Sequence, residues 1–260
     1  MIEKLQLTGN IGAEIRGLDL LEPMTGAEVD EVAKALSEHK VLAFRGLDRM
    51  GPKEHLAFAV QFGAPEIDEH PNHPDVDGVP GVKVIRHEGD LSRVDSWHTD
   101  GSTREFTPSY ISTLRAVDIP PFGRDTVFAN MEAVFDSLHP GMQSFLEGLT
   151  AMHSWGHQRP EAPPVEHPVV LVHPISGRKS LYVNKYYTRS IVGLPINQSE
   201  ELLNFLFLQS HWAEFQLRVR WEPGMMVMWD NTNTQHYLVM DVVYPRVMHR
   251  VMTTSALKPA

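Results

Sequence analysis

The segment Arg246-Val247-Met248-His249-Arg250-Val251-Met252 alternates as a strand does. Successive strand side chains point to opposite faces, so Arg246, Met248, Arg250 and Met252 share one side. Two arginines turned into a barrel are costly unless they meet anions. A guanidinium also holds a carboxylate or sulfonate in a two-pronged grip. Spacing alone leaves a second possibility open, two surface arginines on an edge strand. His249 has the opposite parity and is read as packed or hydrogen-bonded.

The surrounding chain supplies the rest of a barrel. Upstream lie strand signals at Gln216 to Trp221 and Met225 to Trp229, separated by a Pro223-Gly224 turn. Further strands are expected at residues 1 to 20 as a pair, at Val41 to Phe44, Val82 to Ile85, Val94 to Ser102 and Tyr110 to Leu114. Val169 to Val172 and Ser180 to Val183 flank Ile175-Ser176-Gly177-Arg178 as a hairpin. Thr25-Gly26-Ala27-Glu28 is a capping box, opening a helix that ends near His39. Pro52 suits the first turn of a helix reaching about Phe62. Two short helices follow at Met131 to Leu138 and Pro140 to Leu149, and another at Gln198 to Gln209. Residues 63 to 81 and 156 to 168 read as Pro-rich loops, the first long enough to wall a site. Strand signals run along the whole chain, with no repeat and no linker. A single domain over residues 1–260 is expected, mainly β with flanking helices, as a sandwich or barrel.

Composition narrows the function classes. The 260 residues carry 23 Lys+Arg against 33 Asp+Glu, a formal charge of −10 with His neutral. Such a chain is a poor general binder of nucleic acid or anionic membrane. It contains no Cys, which excludes disulfides, thiolate metal sites, iron–sulfur clusters and a Cys nucleophile. No signal pattern opens the chain and no apolar run could span a bilayer, so a cytoplasmic protein is expected. The 14 His direct attention to metal or acid–base chemistry.

Trp97-His98-Thr99-Asp100-Gly101 offers an imidazole and a carboxylate two residues apart. On a strand both would face one point, giving two-thirds of the facial triad of non-haem Fe(II) oxygenases. The pattern is weak alone. With 14 His and 33 acids in 260 residues, about two such pairs arise by chance. Two occur, the other being His73-Pro74-Asp75. A distant second His completes the triad, and Gln235-His236-Tyr237 lies just after the strand ending Trp229-Asp230-Asn231. Asp230 and Asn231 are candidates to support a metal shell or to cap the strand end. His153, His157, His167 and His173 are too irregularly spaced for a second metal. Trp97, Trp221, Trp229 and the methionines 225, 226 and 228 read as packing residues.

These segments, with Gly123-Arg124-Asp125-Thr126 and the stretch from His167-Pro168-Val169-Val170 to Val183-Asn184, make the chain resemble a known family. It is similar, over nearly its whole length, to the taurine dioxygenase / 2,4-dichlorophenoxyacetate dioxygenase group of Fe(II)- and 2-oxoglutarate-dependent oxygenases. The resemblance implies a double-stranded β-helix (jelly roll), with iron held by His98, Asp100 and His236. It implies that Thr126 and Arg246 bind the far carboxylate of 2-oxoglutarate, and that Arg250 and His70 contact the substrate's acid group. Its cosubstrates would be 2-oxoglutarate and O2, its substrate a small organic anion (sulfonate, alkyl sulfate or carboxylate) and its products succinate, CO2 and a hydroxylated compound. Where the hydroxylated carbon bears sulfonate or ester oxygen, C–S or C–O cleavage follows by collapse. A homo-oligomer, dimer or tetramer, is in keeping with the group.

There are departures. His236 and Arg246 have nine intervening residues, one fewer than the group pattern, which places a deletion near Val242-Val243. Were that alignment misplaced, Arg250 would take the 2-oxoglutarate role. Gly123-Arg124 replaces a pair of glycines. His73 and Val94 stand where residues contacting the amine of taurine are expected, which argues against taurine itself. Two other functions suit the same residues: a jelly-roll protein that only binds an anion or metal, and a cupin-type metalloenzyme without oxygen chemistry.

Overall fold

A computed structural model describes residues 2–67, 73–88, 96–104 and 110–255. Its centre is a large sheet running, edge to edge, Glu3–Gln6, Ala13–Arg16, Val41–Phe44, Met226–Asp230, Tyr110–Asp118, Arg246–Ser255, Val79–His87 and Asp75–Val76. Gly63–Pro65 also pairs with the end of Arg246–Ser255. Ala13–Arg16 pairs with Val41–Phe44 in parallel. The other pairings of this sheet are antiparallel. A three-stranded sheet, Gln216–Val219, Thr126–Asn130 and Thr234–Leu238, supplies the facing layer. A third sheet joins Val165–Pro168, Thr150–His153 and Thr188–Ile191, and Val170–Val172 forms the expected hairpin with Lys179–Leu181.

Apolar burial fixes which face of each strand looks inward. Leu114, Ala116, Val227, Trp229 and Met248 of the large sheet pack with Phe128, Leu217 and Val219 of the facing sheet. That layer is the barrel interior. Met225 belongs to it, whereas Met226 and Met228 lie on the opposite face under the helix Gly26–His39, with Val32, Leu36 and Phe58. The expected barrel packing of all three methionines therefore holds for one. Each fully buried large side chain contributes about 1.5–3 kcal/mol. Behind the small sheet, Met131–Ser137, Pro140–Leu146 and Ile196–Gln209 cover a second core that includes Trp97, Val127, Ala129 and Leu203.

The Thr25 capping box forms as its sequence demands: Glu28 N donates to Thr25 Oγ1 and Thr25 N to a Glu28 carboxyl oxygen. The helix ends at Lys40, whose φ is 66°. The Lys40 ammonium is buried 2.8 Å from the Glu132 carboxylate.

Several expectations need correction. His98 and Asp100 do not lie on a strand. His98 makes a single bridge to His236, and Asp100 enters a turn that Gly101 closes at φ +78°. The loops are shorter than expected, because residues 63–65, 75–76 and 165–168 pair into sheets. Thr126–Asn130 and Thr234–Leu238 are strands with no apolar alternation, being buried on both faces. Helices 131–137 and 140–146 and strand 246–255 fall close to their expected places.

Candidate active site

The bridge between His98 and His236 builds the site. His98 N donates to His236 O at 3.0 Å and His236 N to His98 O at 2.8 Å, so the two backbones are locked in register. The imidazole centroids are then 4.3 Å apart. Thr99 Oγ1 donates to Thr234 O at 2.9 Å, which ties the following turn to the same strand and delivers Asp100. One ligand atom from each of His98, Asp100 and His236 falls within 4.8 Å of the others. Asp100 lies 3.9 Å from His98 Nε2 and 4.0 Å from His236 Nε2. Among the described residues this is the one cluster of its kind.

The donor set suits a divalent metal. His98 Nδ1 is 2.8 Å from the Ser96 carbonyl, which places its proton there and presents Nε2 as a lone pair. Burial, then the neighbouring His98, push His236 down to about 3 despite Asp100. A neutral imidazole is the ligating form. Burial opposes charge on Asp100, but Arg250, His236, His98 and a Ser112 hydrogen bond outweigh it and hold the carboxyl well below the usual range. Two imidazoles and one carboxylate on one side of a point form the facial triad associated with Fe(II).

A short network aims Asp100. Ser112 Oγ donates to its Oδ2 at 3.0 Å, and Asn231 Nδ2 donates to Ser112 Oγ at 2.9 Å. Asn231 Oδ1 accepts from the Asp100 backbone N–H at 3.2 Å and from Trp229 Nε1 at 2.9 Å. Of the two candidates for metal-shell support, Asn231 thus reaches the Asp100 carboxylate, through Ser112. Asp230 instead pairs with His173 at 2.8 Å and caps the strand end through Thr232. Ser112 was not recognisable from sequence, because a serine in a strand carries no signal until its partner strand is known. Its register partner is Trp229.

Arg246 and Arg250 share a face, as their spacing predicts, and that face is the interior rather than an exposed edge. Arg246, 3% exposed, donates from Nη1 to the Arg124 carbonyl at 2.8 Å and reaches Thr126 Oγ1 at 3.5 Å. Its guanidinium carbon is 5.8 Å from the Trp221 ring centre. Trp221, expected as packing only, also donates from Nε1 to Thr126 Oγ1 at 3.0 Å. Arg250 Nη1 donates to Asp100 Oδ1 at 3.1 Å. The arginine that meets Thr126 is therefore Arg246, four residues along the strand from the arginine beside the His98–Asp100–His236 cluster. Lys83 is a buried cation that no motif marks. It opposes Arg250 on the adjacent strand, on the same face, and pairs with Asp75 at 3.0 Å. His249 faces away and contacts Arg115 at 3.3 Å.

The Tyr186 ring stands 5.7 Å from His98, with Tyr187 at 6.3 Å and Trp155 against Tyr187. They form an aromatic wall beside the cluster, also without a sequence signal. His70 and Val94 lie outside the described residues. His73 is half-buried.

The family model described as "Taurine catabolism dioxygenase TauD, TfdA family" matches residues 3–252. An alkylsulfatase of Acinetobacter baylyi is 37% identical over 256 residues, covering 91% of this chain and 79% of that protein. An alpha-ketoglutarate-dependent sulfate ester dioxygenase of Pseudomonas putida is 35% identical, covering 94% of this chain and 87% of that protein. A solved structure of a taurine dioxygenase from Burkholderia xenovorans superposes with a TM-score of 0.88 at 33% identity, covering 99% of this chain and 90% of that one.

Proposed function

Because the chain belongs to the taurine catabolism dioxygenase TauD, TfdA family, we propose that His98, Asp100 and His236 hold Fe(II) and that Arg246 with Thr126 anchors 2-oxoglutarate. The enzyme is a 2-oxoglutarate-dependent dioxygenase with the double-stranded β-helix of its structural relatives. The observation that carries the assignment is the convergence of three ligand atoms within 4.8 Å beneath the face that also bears Arg246 and Arg250.

Bound iron supplies oxidative decarboxylation of 2-oxoglutarate by O2 and hydroxylation of a nearby C–H. The residues of this chain do the positioning. Arg246 and the Thr126 hydroxyl grip the far carboxylate, and the Trp221 N–H keeps that hydroxyl oriented. Ser112 and Asn231 fix Asp100, so the carboxylate presents the same oxygen each cycle. Arg250, with His70, receives the acid group of the substrate and sets which carbon faces the reactive centre. The aromatic wall of Tyr186, Tyr187 and Trp155 shields that carbon from water. The substrate is a small organic anion: a sulfonate, sulfate ester or carboxylate. When the hydroxylated carbon carries sulfonate or ester oxygen, its hydroxyl proton leaves, a carbonyl forms and the anion departs.

The test is anaerobic loading with Fe(II) and 2-oxoglutarate, then admission of O2 with sulfonates, alkyl sulfates, aryloxyalkanoates and amino acids in turn. Stoichiometric succinate with at least one anionic series is expected. A protein that binds these anions but never consumes 2-oxoglutarate would overturn the assignment, as would undiminished turnover by His98→Ala.

A further inference from the structure

We infer that Arg124 is a positioning residue for the cosubstrate anchor, holding Arg246 by its carbonyl and the chain before Arg246 by its side chain. The inference rests on the proposed role of Arg246 and Thr126 toward 2-oxoglutarate.

The starting point is a backbone outlier. Arg124 has φ 56°, and among the described residues only Lys40 shares a positive φ without being glycine. A left-handed backbone is unfavourable for any residue with a Cβ, and glycine would adopt it freely. Such outliers persist where surrounding contacts over-determine them. Those contacts are specific here. The side chain is fully buried. Its Nε donates to the Tyr244 carbonyl at 3.2 Å, and Nη1 lies on the Met240 sulfur. The backbone N–H donates to Asp241 Oδ1 at 2.9 Å. The carbonyl accepts Arg246 Nη1 at 2.8 Å.

Every one of these partners lies between Met240 and Arg246. That segment connects the strand of the ligand His236 to the strand of Arg246. It is also where the family resemblance implies a one-residue deletion, near Val242-Val243. The approach is tight: a Cβ on Gly123 would fall 2.8 Å from Asp241 and Val242. Val239 N donates to Asp125 O at 2.8 Å, closing the same seam from the other end. Arg124 therefore sets how far Arg246 stands from Thr126, which lies two positions further along the chain at the start of the strand Thr126–Asn130.

Arg124→Gly tests this, because it keeps the φ and deletes the guanidinium. Arg124→Lys restores reach and charge with fewer donors. Titration calorimetry of 2-oxoglutarate into the Mn(II)-loaded protein gives affinity without turnover. Arg124→Gly is expected to weaken that affinity about tenfold, equivalent to ~1.4 kcal/mol. Arg124→Lys should fall between it and the parent. Mn(II) affinity should stay within about twofold, and the KM for 2-oxoglutarate should rise more than kcat falls. Deuterium uptake across 239–246 should increase. A folded Arg124→Gly protein with unchanged 2-oxoglutarate affinity overturns the inference. Should that variant not fold, an Arg124→Lys protein of parental affinity overturns it equally. Arg246→Ala is the reference. If it leaves 2-oxoglutarate binding intact, the anchor assignment fails. If it weakens binding while the Arg124 variants do not, the role of Arg124 alone fails.

Discussion

Replacing Arg246 by Ala separates the two inward arginines. The guanidinium is 3% exposed and is held by the Arg124 carbonyl at 2.8 Å, with Thr126 Oγ1 at 3.5 Å. Thr126 Oγ1 already accepts the Trp221 N–H, so its own proton is available to donate. A carboxylate placed between the two receives charged N–H donors and one hydroxyl. Hydrogen bonds to charged groups contribute about 1.5–3 kcal/mol each. Losing the guanidinium should therefore weaken 2-oxoglutarate binding by at least about 3 kcal/mol, or roughly a hundredfold. Thr126→Val, removing one hydroxyl donor to the carboxylate, should weaken it about tenfold at ~1.5 kcal/mol. Arg250→Ala should leave the 2-oxoglutarate requirement near its parent value and raise that for the prime substrate. The assay is succinate release against each reactant in turn, with 2-oxoglutarate affinity measured separately on Mn(II)-loaded protein. If Arg250→Ala, rather than Arg246→Ala, weakened 2-oxoglutarate binding, the pairing of Arg246 with Thr126 would not be the anchor and the one-residue deletion would lie elsewhere.

Three further outcomes are expected. Ser112→Ala removes the donor to Asp100 Oδ2 and should lower metal affinity 10–100-fold with the fold intact, read by Mn(II) titration and circular dichroism; unchanged affinity would mean Ser112 plays no part in aiming the ligand. Glu132→Gln strips the fully buried Lys40 of its counter-charge, also removing the 3.0 Å pair with Arg178, which keeps Asp136, and should lower stability in urea by about 3–5 kcal/mol; an unmoved midpoint would refute it. His55 is buried against Thr113, and burial, then the charges of Arg115 and His249, push it down to about 3. Its unfolded value is near 6.5, so the unfolded chain takes up the proton first and stability drains as pH falls from about 6.5 toward 3. Between pH 7 and 5 this one group should remove ~2 kcal/mol. His55→Gln should flatten that part of the urea stability profile, and a profile of unaltered slope would contradict it.

The sequence shows the chemistry of the site more readily than its framework. His98, Asp100, His236 and the paired arginines are visible because few residue types can ligate a metal or grip an anion, and they recur in a fixed order. Strand parity then places Arg246 and Arg250 correctly, since a period of two survives any error in the strand's ends. Ser112, Lys83 and Tyr186 are invisible for a different reason. Each acquires its role from a neighbour more than eighty residues away: Ser112 opposite Trp229, Lys83 opposite Arg250, Tyr186 donating its N–H to Trp97 O. The strands 126–130 and 234–238 escape for the same cause. Being buried on both faces, they lack the polar alternation that marks a half-exposed strand. His98 and Asp100 converge without a ladder, through one bridge and a glycine turn, so the correct juxtaposition came with the wrong local structure.

Charge explains why an acidic protein should select anions here. Among the described residues around the site, Asp100 brings one negative charge, and Arg246, Arg250 and the fully buried Arg124 beside Arg246 bring one positive charge each. The Lys83–Asp75 pair cancels itself. The balance is positive before any metal binds, and a divalent cation adds to it. Buried unbalanced charge is expensive, so anionic partners are favoured at the site. A neutral substrate would leave the Arg250 end uncompensated once Asp100 is engaged by metal. Sulfonates, sulfate monoesters and carboxylates each carry one negative charge. The charge sum therefore favours one class of substrate without reference to its carbon skeleton, which the aromatic wall of Tyr186, Tyr187 and Trp155 is left to choose.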